Sequence, residues 1–234
     1  MEELSRYNSI LTSIYAQDNA YRVASYLIAL ALLHRASSRG AKPDELDAAL
    51  SDLRGKIGDA RFLNRVFVGT TASVQGFLAG DWSTYESVLD RVMALAMVAY
   101  HPLEHAYLQS TLKPAPLLTW VDGAACSKWS CRMWLAYVLC DLLGTVRKLG
   151  AVNNALAQPS APKTVKLLRD RRNLLIWLSC IAADFPLALQ WSVDAGPFGE
   201  KTIAVAGLYG GLAGLYLRWL RASDAARDAK EKAQ

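Results

Sequence analysis

Two long apolar segments near the C-terminus constrain this chain more than any other feature. Residues 174–193 contain a single charged residue, Asp184, and residues 202–217 contain none. About 20 helical residues cross the hydrocarbon core of a bilayer, and the second segment reaches that length when it extends to residue 220, with Arg218 snorkelling to the surface. The two segments predict a helical hairpin in a membrane, at about 174–193 and 202–220.

The charges that flank these segments predict the orientation of the hairpin. Basic residues precede the first segment and close the second: Lys163, Lys166, Arg169, Arg171, Arg172, Arg218 and Arg221. The loop between the segments carries Asp194 and Glu200 and only one basic residue, Lys201. Because basic flanks stay in the cytosol, both termini are expected there. A hairpin buried inside a soluble protein remains open as an alternative, since Asp184 and Pro186 interrupt the first segment.

The whole chain has the composition of a helical protein that is partly in lipid. Hydrophobic residues make up 53% of the chain and charged residues 20%, with a net charge of +5. That basic excess fits anionic phospholipid heads. The chain lacks a compact stripe of Lys and Arg interleaved with aromatic residues, so binding to nucleic acid is not expected. We predict an all-α fold with three parts: an amphipathic region at the membrane surface, partly embedded (1–150), a linker (151–165), and the hairpin with a basic cytosolic tail (166–234). A break is expected at Pro102.

Residues 53–68 predict an amphipathic helix that binds the membrane surface. Arg54, Arg61 and Arg65 are spaced to lie on one stripe of a helix. The opposite, apolar side is formed by Phe62, Leu63, Val66 and Phe67. A basic face opposite an aromatic and aliphatic face is typical of an interfacial helix, so these seven residues are the predicted membrane-binding site. The pattern also fits a surface helix that packs its apolar face on its own protein.

The second apolar segment carries glycines at the spacing of a helix contact. Gly207, Gly210, Gly211 and Gly214 form two overlapping pairs four residues apart. Such pairs let helix backbones approach closely in lipid, so we predict a role in helix packing or oligomerisation. The pattern does not say whether the partner is another segment or another chain.

No pattern in the sequence indicates an active site. His101 and His105 are four residues apart, but Pro102 lies between them and no third ligand stands out, so no metal site is expected. The four cysteines fit neither a zinc site nor a disulfide framework. Neither a phosphate loop nor a nucleophile elbow is present. We expect no catalytic centre and no cofactor.

Several stretches resemble the peroxin-eleven family, which shapes and divides peroxisomes. The N-terminal stretch 17–26 matches the family at Asp18, Arg22 and Tyr26 but lacks its Gly, Lys and Gln. Closer likenesses are residues 90–105, 127–137 and 183–192, followed by the glycine-rich helix. The resemblance runs in order from about residue 5 to residue 221 and is greatest to the fungal and glycosomal branches.

The resemblance implies a membrane protein of the peroxisome or glycosome with both termini cytosolic. It implies membrane elongation before fission, self-association, and recruitment of fission and membrane-import factors. The family's remodelling activity is tied to a basic amphipathic helix, for which residues 53–68 are the candidate. Two alternatives are a pore for small metabolites, with Arg132 and Asp184 as candidate lining residues, and a soluble helical scaffold.

Overall fold

The structure, a computed structural model, describes residues 13–39, 43–79, 83–113, 115–158 and 164–232, without the side chains at 39, 66, 67 and 229–232. The helices are α1 (Ile14–Arg39), α2 (Glu45–Ala79), α3 (Tyr85–Ser110), α4 (Gly123–Leu156), α5 (Thr164–Ser192) and α6 (Glu200–Lys232). The described residues contain no strand, so the predicted all-α fold is confirmed.

Short polar residues fix where α3 and α4 begin. The Thr84 hydroxyl accepts from the Ser87 backbone N–H at 3.1 Å, while the Thr84 backbone N–H donates to the Ser87 hydroxyl at 3.1 Å. Asp122 accepts from the Ala125 backbone N–H at 3.0 Å. Both caps supply hydrogen-bond partners to backbone N–H groups that have none within the first turn of a helix.

Two boundaries differ from the sequence expectation. The predicted break at Pro102 is wrong, because α3 runs without interruption through that proline. Proline removes one backbone hydrogen bond, and the packing of α3 between α2 and α4 holds the helix across the gap. The expected linker 151–165 overlaps the last turns of α4, which ends at Leu156; α5 begins at Thr164.

The six helices form a closed antiparallel ring. Each helix packs against the next one in the chain, and α1 also packs against α6. The apolar core lies between α1, α4, α5 and α6, where Tyr26, Leu187 and Ile203 cluster beside Trp134. A second cluster joins Val138 of α4 to α5. The contacts between α1, α2 and α3 contain buried charges instead.

Candidate membrane-contact surface and interior charge network

The glycine face predicted from the sequence, Gly207, Gly210, Gly211 and Gly214, lies against α1 in the same chain. A Cβ atom at Gly207 would lie 2.2 Å from Tyr26 Cε2, and one at Gly211 would lie 3.3 Å from the backbone nitrogen of Val23. Side chains at these positions would push α1 away from α6. The structure therefore shows a packing role within the chain, and a role between copies stays a prediction.

Gly210 also opens a path for a charged side chain. Arg22 of α1 extends over Gly210, where a Cβ atom would lie 2.6 Å from Arg22 Nη2. Its Nη2 lies 2.5 Å from Asp184 Oδ1 of α5, and its Nε donates to the carbonyl oxygen of Gly207 at 2.9 Å. One buried guanidinium thus ties α1 to both helices of the predicted hairpin.

A second group of charges lies between α1 and α2. Arg61 donates to both carboxylate oxygens of Asp18, at 2.9 and 3.1 Å. Arg65 Nη1 lies 3.8 Å from the same carboxylate. The side chains of Asp18, Arg61 and Arg65 are each less than one-fifth exposed. Paired, hydrogen-bonded geometry of this kind is what makes a buried charge tolerable.

The same group continues into α3. Arg65 donates from Nη2 to Glu104 Oε1 at 2.7 Å, and the Tyr100 hydroxyl donates a short hydrogen bond to the same oxygen. Together these contacts form the interior charge network, which we define as Asp18, Arg22, Arg61, Arg65, Tyr100, Glu104 and Asp184. The network contacts five of the six helices, because Arg22 also binds the α6 backbone.

The predicted basic stripe of α2 does not form a free basic face. Arg61 and Arg65 point into the ring and pair with Asp18 and Glu104, whereas Arg54 is exposed. The sequence pattern could not show that carboxylates on two other helices face Arg61 and Arg65. Their binding to lipid remains a prediction.

The predicted apolar side of α2 is divided. Phe62 packs edge-on against Tyr107 with ring centroids 6.0 Å apart, so it serves the contact with α3. Leu63 points outward and is 56% exposed. The side chains of Val66 and Phe67 lie outside the described part of the structure. Other outward apolar residues of α2 are Leu46, Leu53, Val74 and Leu78.

The network contains residues that the sequence did not single out as a site. Asp18, Arg22 and Glu104 entered only through stretches that carry the family resemblance. A usable signal was present: Asp18, Arg22 and Tyr26 recur every four residues, as do Tyr100 and Glu104. Charges at helical spacing inside apolar stretches indicate an inward polar face, because each must find a partner.

Ion pairs join the helices at both ends of the ring. At one end Lys128 of α4 pairs with Asp194 after α5, and the Lys128 ammonium holds the pKa of the Asp194 carboxyl below its usual range. At the other end Arg172 of α5 lies 2.5 Å from Asp224 of α6. The second end also carries Arg169, which lies 2.6 Å from Asp228. The basic flank of the hairpin is thus partly neutralised by acids of α6.

The two candidate pore-lining residues are engaged inside the chain. Arg132 donates to the Ser192 carbonyl oxygen at 3.1 Å and lies over the Trp129 ring at 4.6 Å. Asp184 pairs with Arg22. The two histidines also have no ligand set around them, since no metal-binding cluster occurs among the described residues. His101 instead packs against Gly69 of α2.

Two helices are long and apolar enough to cross a membrane by length and composition: Thr164–Ser192 and Glu200–Asp228. They are the two arms of the predicted hairpin. A sequence model of the family "Peroxisomal biogenesis factor 11" matches residues 4–219, which is most of the chain. The chain belongs to the peroxisomal biogenesis factor 11 family. Neither a curated protein nor a solved structure matches it.

Membership of the peroxisomal biogenesis factor 11 family confirms the resemblance and associates the chain with the peroxisomal membrane. The family consists of biogenesis factors, not enzymes, and its membership implies a role in peroxisome proliferation. The match does not separate the branches of the family, so a fungal or glycosomal origin stays a prediction.

Proposed function

We propose that this chain elongates and curves the peroxisomal membrane by holding α2 against lipid from a bundle anchored by the α5–α6 hairpin. A helix that adds volume to one leaflet enlarges the area of that leaflet and favours curvature. The observation that carries the proposal is the outward apolar side of α2, with Leu53 at 49%, Leu63 at 56% and Leu78 at 71% exposure.

The interior charge network supports this arrangement by fixing which side of α2 faces outward. Arg61 and Arg65 bind Asp18 and Glu104 on the inner side of the helix. Leu63 lies between them in sequence and therefore points away from the ring. A rigid bundle that presents an apolar helix side loses less conformational entropy on membrane binding than a flexible segment, so more of the insertion free energy remains.

Self-association and recruitment of fission and import factors belong to the same proposal. The glycine face of α6 is occupied by α1, so copies of the chain would meet through outward residues. On α6 these are Val205, Tyr209, Leu212 and Tyr216, all about half exposed and spaced along one side of the helix. Both termini and the basic ends of the hairpin are expected on the cytosolic side, where soluble fission factors can reach them.

The test compares two substitutions one residue apart in cells that lack their own family member. Leu63→Glu puts a charge on the outward side of α2, and we expect normal protein levels with few elongated peroxisomes. Phe62→Glu puts the same charge against Tyr107, and we expect loss of the folded protein. Ser51→Glu, at an exposed position of α2 away from the outward apolar side, is the matched control and should preserve elongation. Normal elongation by a stable, correctly targeted Leu63→Glu protein would contradict the proposal.

A further inference from the structure

Every helix of the ring contains a long stretch without an exposed charge. The stretches are residues 14–34, 60–79, 91–110, 129–146, 173–192 and 202–220, one in each of α1 to α6. Each has at least 18 residues, and no described Asp, Glu, Lys or Arg within them is exposed. This length approaches the roughly 20 helical residues that cross a bilayer core. A water-soluble helix bundle normally carries charges along its whole outer side.

The charged residues within these stretches face inward or lie against aromatic rings. Most belong to the interior charge network described above. Of the others, Asp141 accepts from the Trp177 indole N–H at 3.0 Å, and Arg132 binds a backbone carbonyl. Arg91 lies over the Phe77 ring and Arg218 over the Tyr15 ring, each at 5.7 Å. Inward charges paired with one another are typical of helices surrounded by lipid.

The outer side of the same stretches is apolar on all six helices. One leucine from each helix illustrates this: Leu27, Leu63, Leu95, Leu143, Leu175 and Leu212 are 45–56% exposed. Exposed tryptophans lie at one end of the ring, where Trp120 is 81%, Trp129 50% and Trp191 43% exposed. Exposed tyrosines, Tyr15 and Tyr216, lie toward the other end. Aromatic rings at the two edges of an apolar band are a feature of membrane-spanning proteins.

We propose that all six helices cross the membrane as one bundle, with the apolar outer band in contact with acyl chains. The band on α1 to α4 is continuous around the ring with that on α5 and α6, the two helices that pass a hydropathy test. The other four helices have a lower mean hydropathy because each charged residue lowers the average. In the folded chain these charges pair between helices. The proposal goes beyond the remodelling function and changes one part of its mechanism. A spanning α2 contacts the acyl chains of both leaflets, so curvature then depends on the outline of the bundle and not on volume added to one leaflet.

Six antiparallel crossings assign each loop to one side of the membrane. Residues 43–44 before α2, 111–113 and 115–122 between α3 and α4, and 193–199 between α5 and α6 lie at one end of the ring. Residues 157–158 after α4 form the fourth segment and lie at the opposite end, with the start of α1 and the end of α6. With the hairpin oriented by its basic flanks, the first three segments face the organelle interior and the fourth faces the cytosol.

The test labels single cysteines in the full-length chain on intact peroxisomes. Cys126, Cys131, Cys140 and Cys180 are first replaced by alanine, and organelle elongation by this background is verified. Pro43→Cys, Thr119→Cys and Ala195→Cys are then compared with Gln158→Cys, using a membrane-impermeant maleimide before and after the membrane is permeabilised. All four positions are exposed in the structure.

We expect Gln158→Cys to be labelled on intact organelles, and the other three only after permeabilisation. Labelling of Pro43→Cys and Thr119→Cys on intact organelles, with Ala195→Cys protected, would show that only the hairpin crosses and would overturn the proposal. That result leaves the remodelling function untouched, because elongation by Leu63→Glu and wild-type chains is scored separately. Labelling of all four positions on intact organelles would overturn both the six crossings and the hairpin.

Discussion

Arg22 reaches Asp184 across the surface of α6, at the position where Gly210 has no side chain to block it. The two charged groups lie 2.5 Å apart, and a Cβ atom at Gly210 would come within 2.6 Å of the guanidinium. Glycine is therefore required here for two reasons: close approach of α1, and passage of a buried arginine to its carboxylate on α5. The glycine pattern and the internal charges are parts of one contact.

Gly210→Leu should destabilise the bundle by obstructing this contact. Overpacking of a close helix contact costs about 1–3 kcal/mol, and loss of the ion pair adds to it. The measurement is the melting temperature of the full-length protein in detergent. Gly150→Leu is the control, because that α4 glycine has open space around it. Since Gly210→Leu and Asp184→Asn disrupt the same pair, their combined effect should be smaller than the sum of the separate effects.

Removal of Asp18 should be far more damaging than removal of a surface carboxylate. Asp18→Asn removes the negative charge that Arg61 and Arg65 face in a buried site. Breaking such a pair lowers the free energy of unfolding by about 3–5 kcal/mol. Asp52→Asn removes the partner of Lys56 in a pair that is exposed, and its melting temperature should be close to wild type.

A charge exchange separates the ion pair from other roles of Asp18. Asp18→Arg combined with Arg61→Asp restores opposite charges at the same place, so the double variant should melt above Asp18→Arg alone. If the exchange gives no recovery and Asp18→Asn melts like wild type, the interior charge network does not stabilise the fold.

The sequence alone was sufficient for the all-α class and for the two long apolar helices near the C-terminus. Helix-forming residues and two apolar stretches, which together contain one charged residue, carry that information within short windows of the chain. The side of α2 that faces outward could not be predicted from such short windows. Arg61, Arg65 and Leu63 form an amphipathic pattern, but which side faces outward depends on Asp18 and Glu104, which lie about 40 residues away in each direction. Only the folded chain brings them together.

Pro102 shows the same limit for local rules. Proline disfavours a helix interior, and tertiary packing of α3 between two neighbours overrides that preference. Tyr100 and Glu104 lie two residues before and two residues after Pro102. Both belong to the interior charge network and hold this part of α3 to α2 through Arg65.

The hairpin predicts a simple protease result. Tags at Met1 and Gln234 should be removed when intact peroxisomes are treated with protease, because both ends are expected in the cytosol. A tag inserted beside Gly196 should survive until the membrane is permeabilised. Protection of the C-terminal tag alone would contradict a hairpin.

A metabolite pore would give a different response to substitution at Asp184. Asp184 is paired with Arg22 inside the chain, so we expect Asp184→Asn to lower protein stability without creating or altering an ion conductance. The measurement is planar-bilayer conductance of the purified protein, with the melting temperature taken in parallel. A wild-type conductance whose cation selectivity falls in a stable Asp184→Asn protein would favour the pore.

Remodelling itself is tested most directly by adding the purified full-length protein to giant vesicles that contain anionic phospholipid. The wild-type protein should insert and draw tubules from the vesicles, and Ser51→Glu should do the same. Leu63→Glu with Leu53→Glu should insert through the hairpin but form at least tenfold fewer tubules, because two outward side chains, each worth about 1.5–3 kcal/mol when fully buried, are lost from the lipid contact. Equal tubulation by this variant, at equal insertion, would contradict the role of α2.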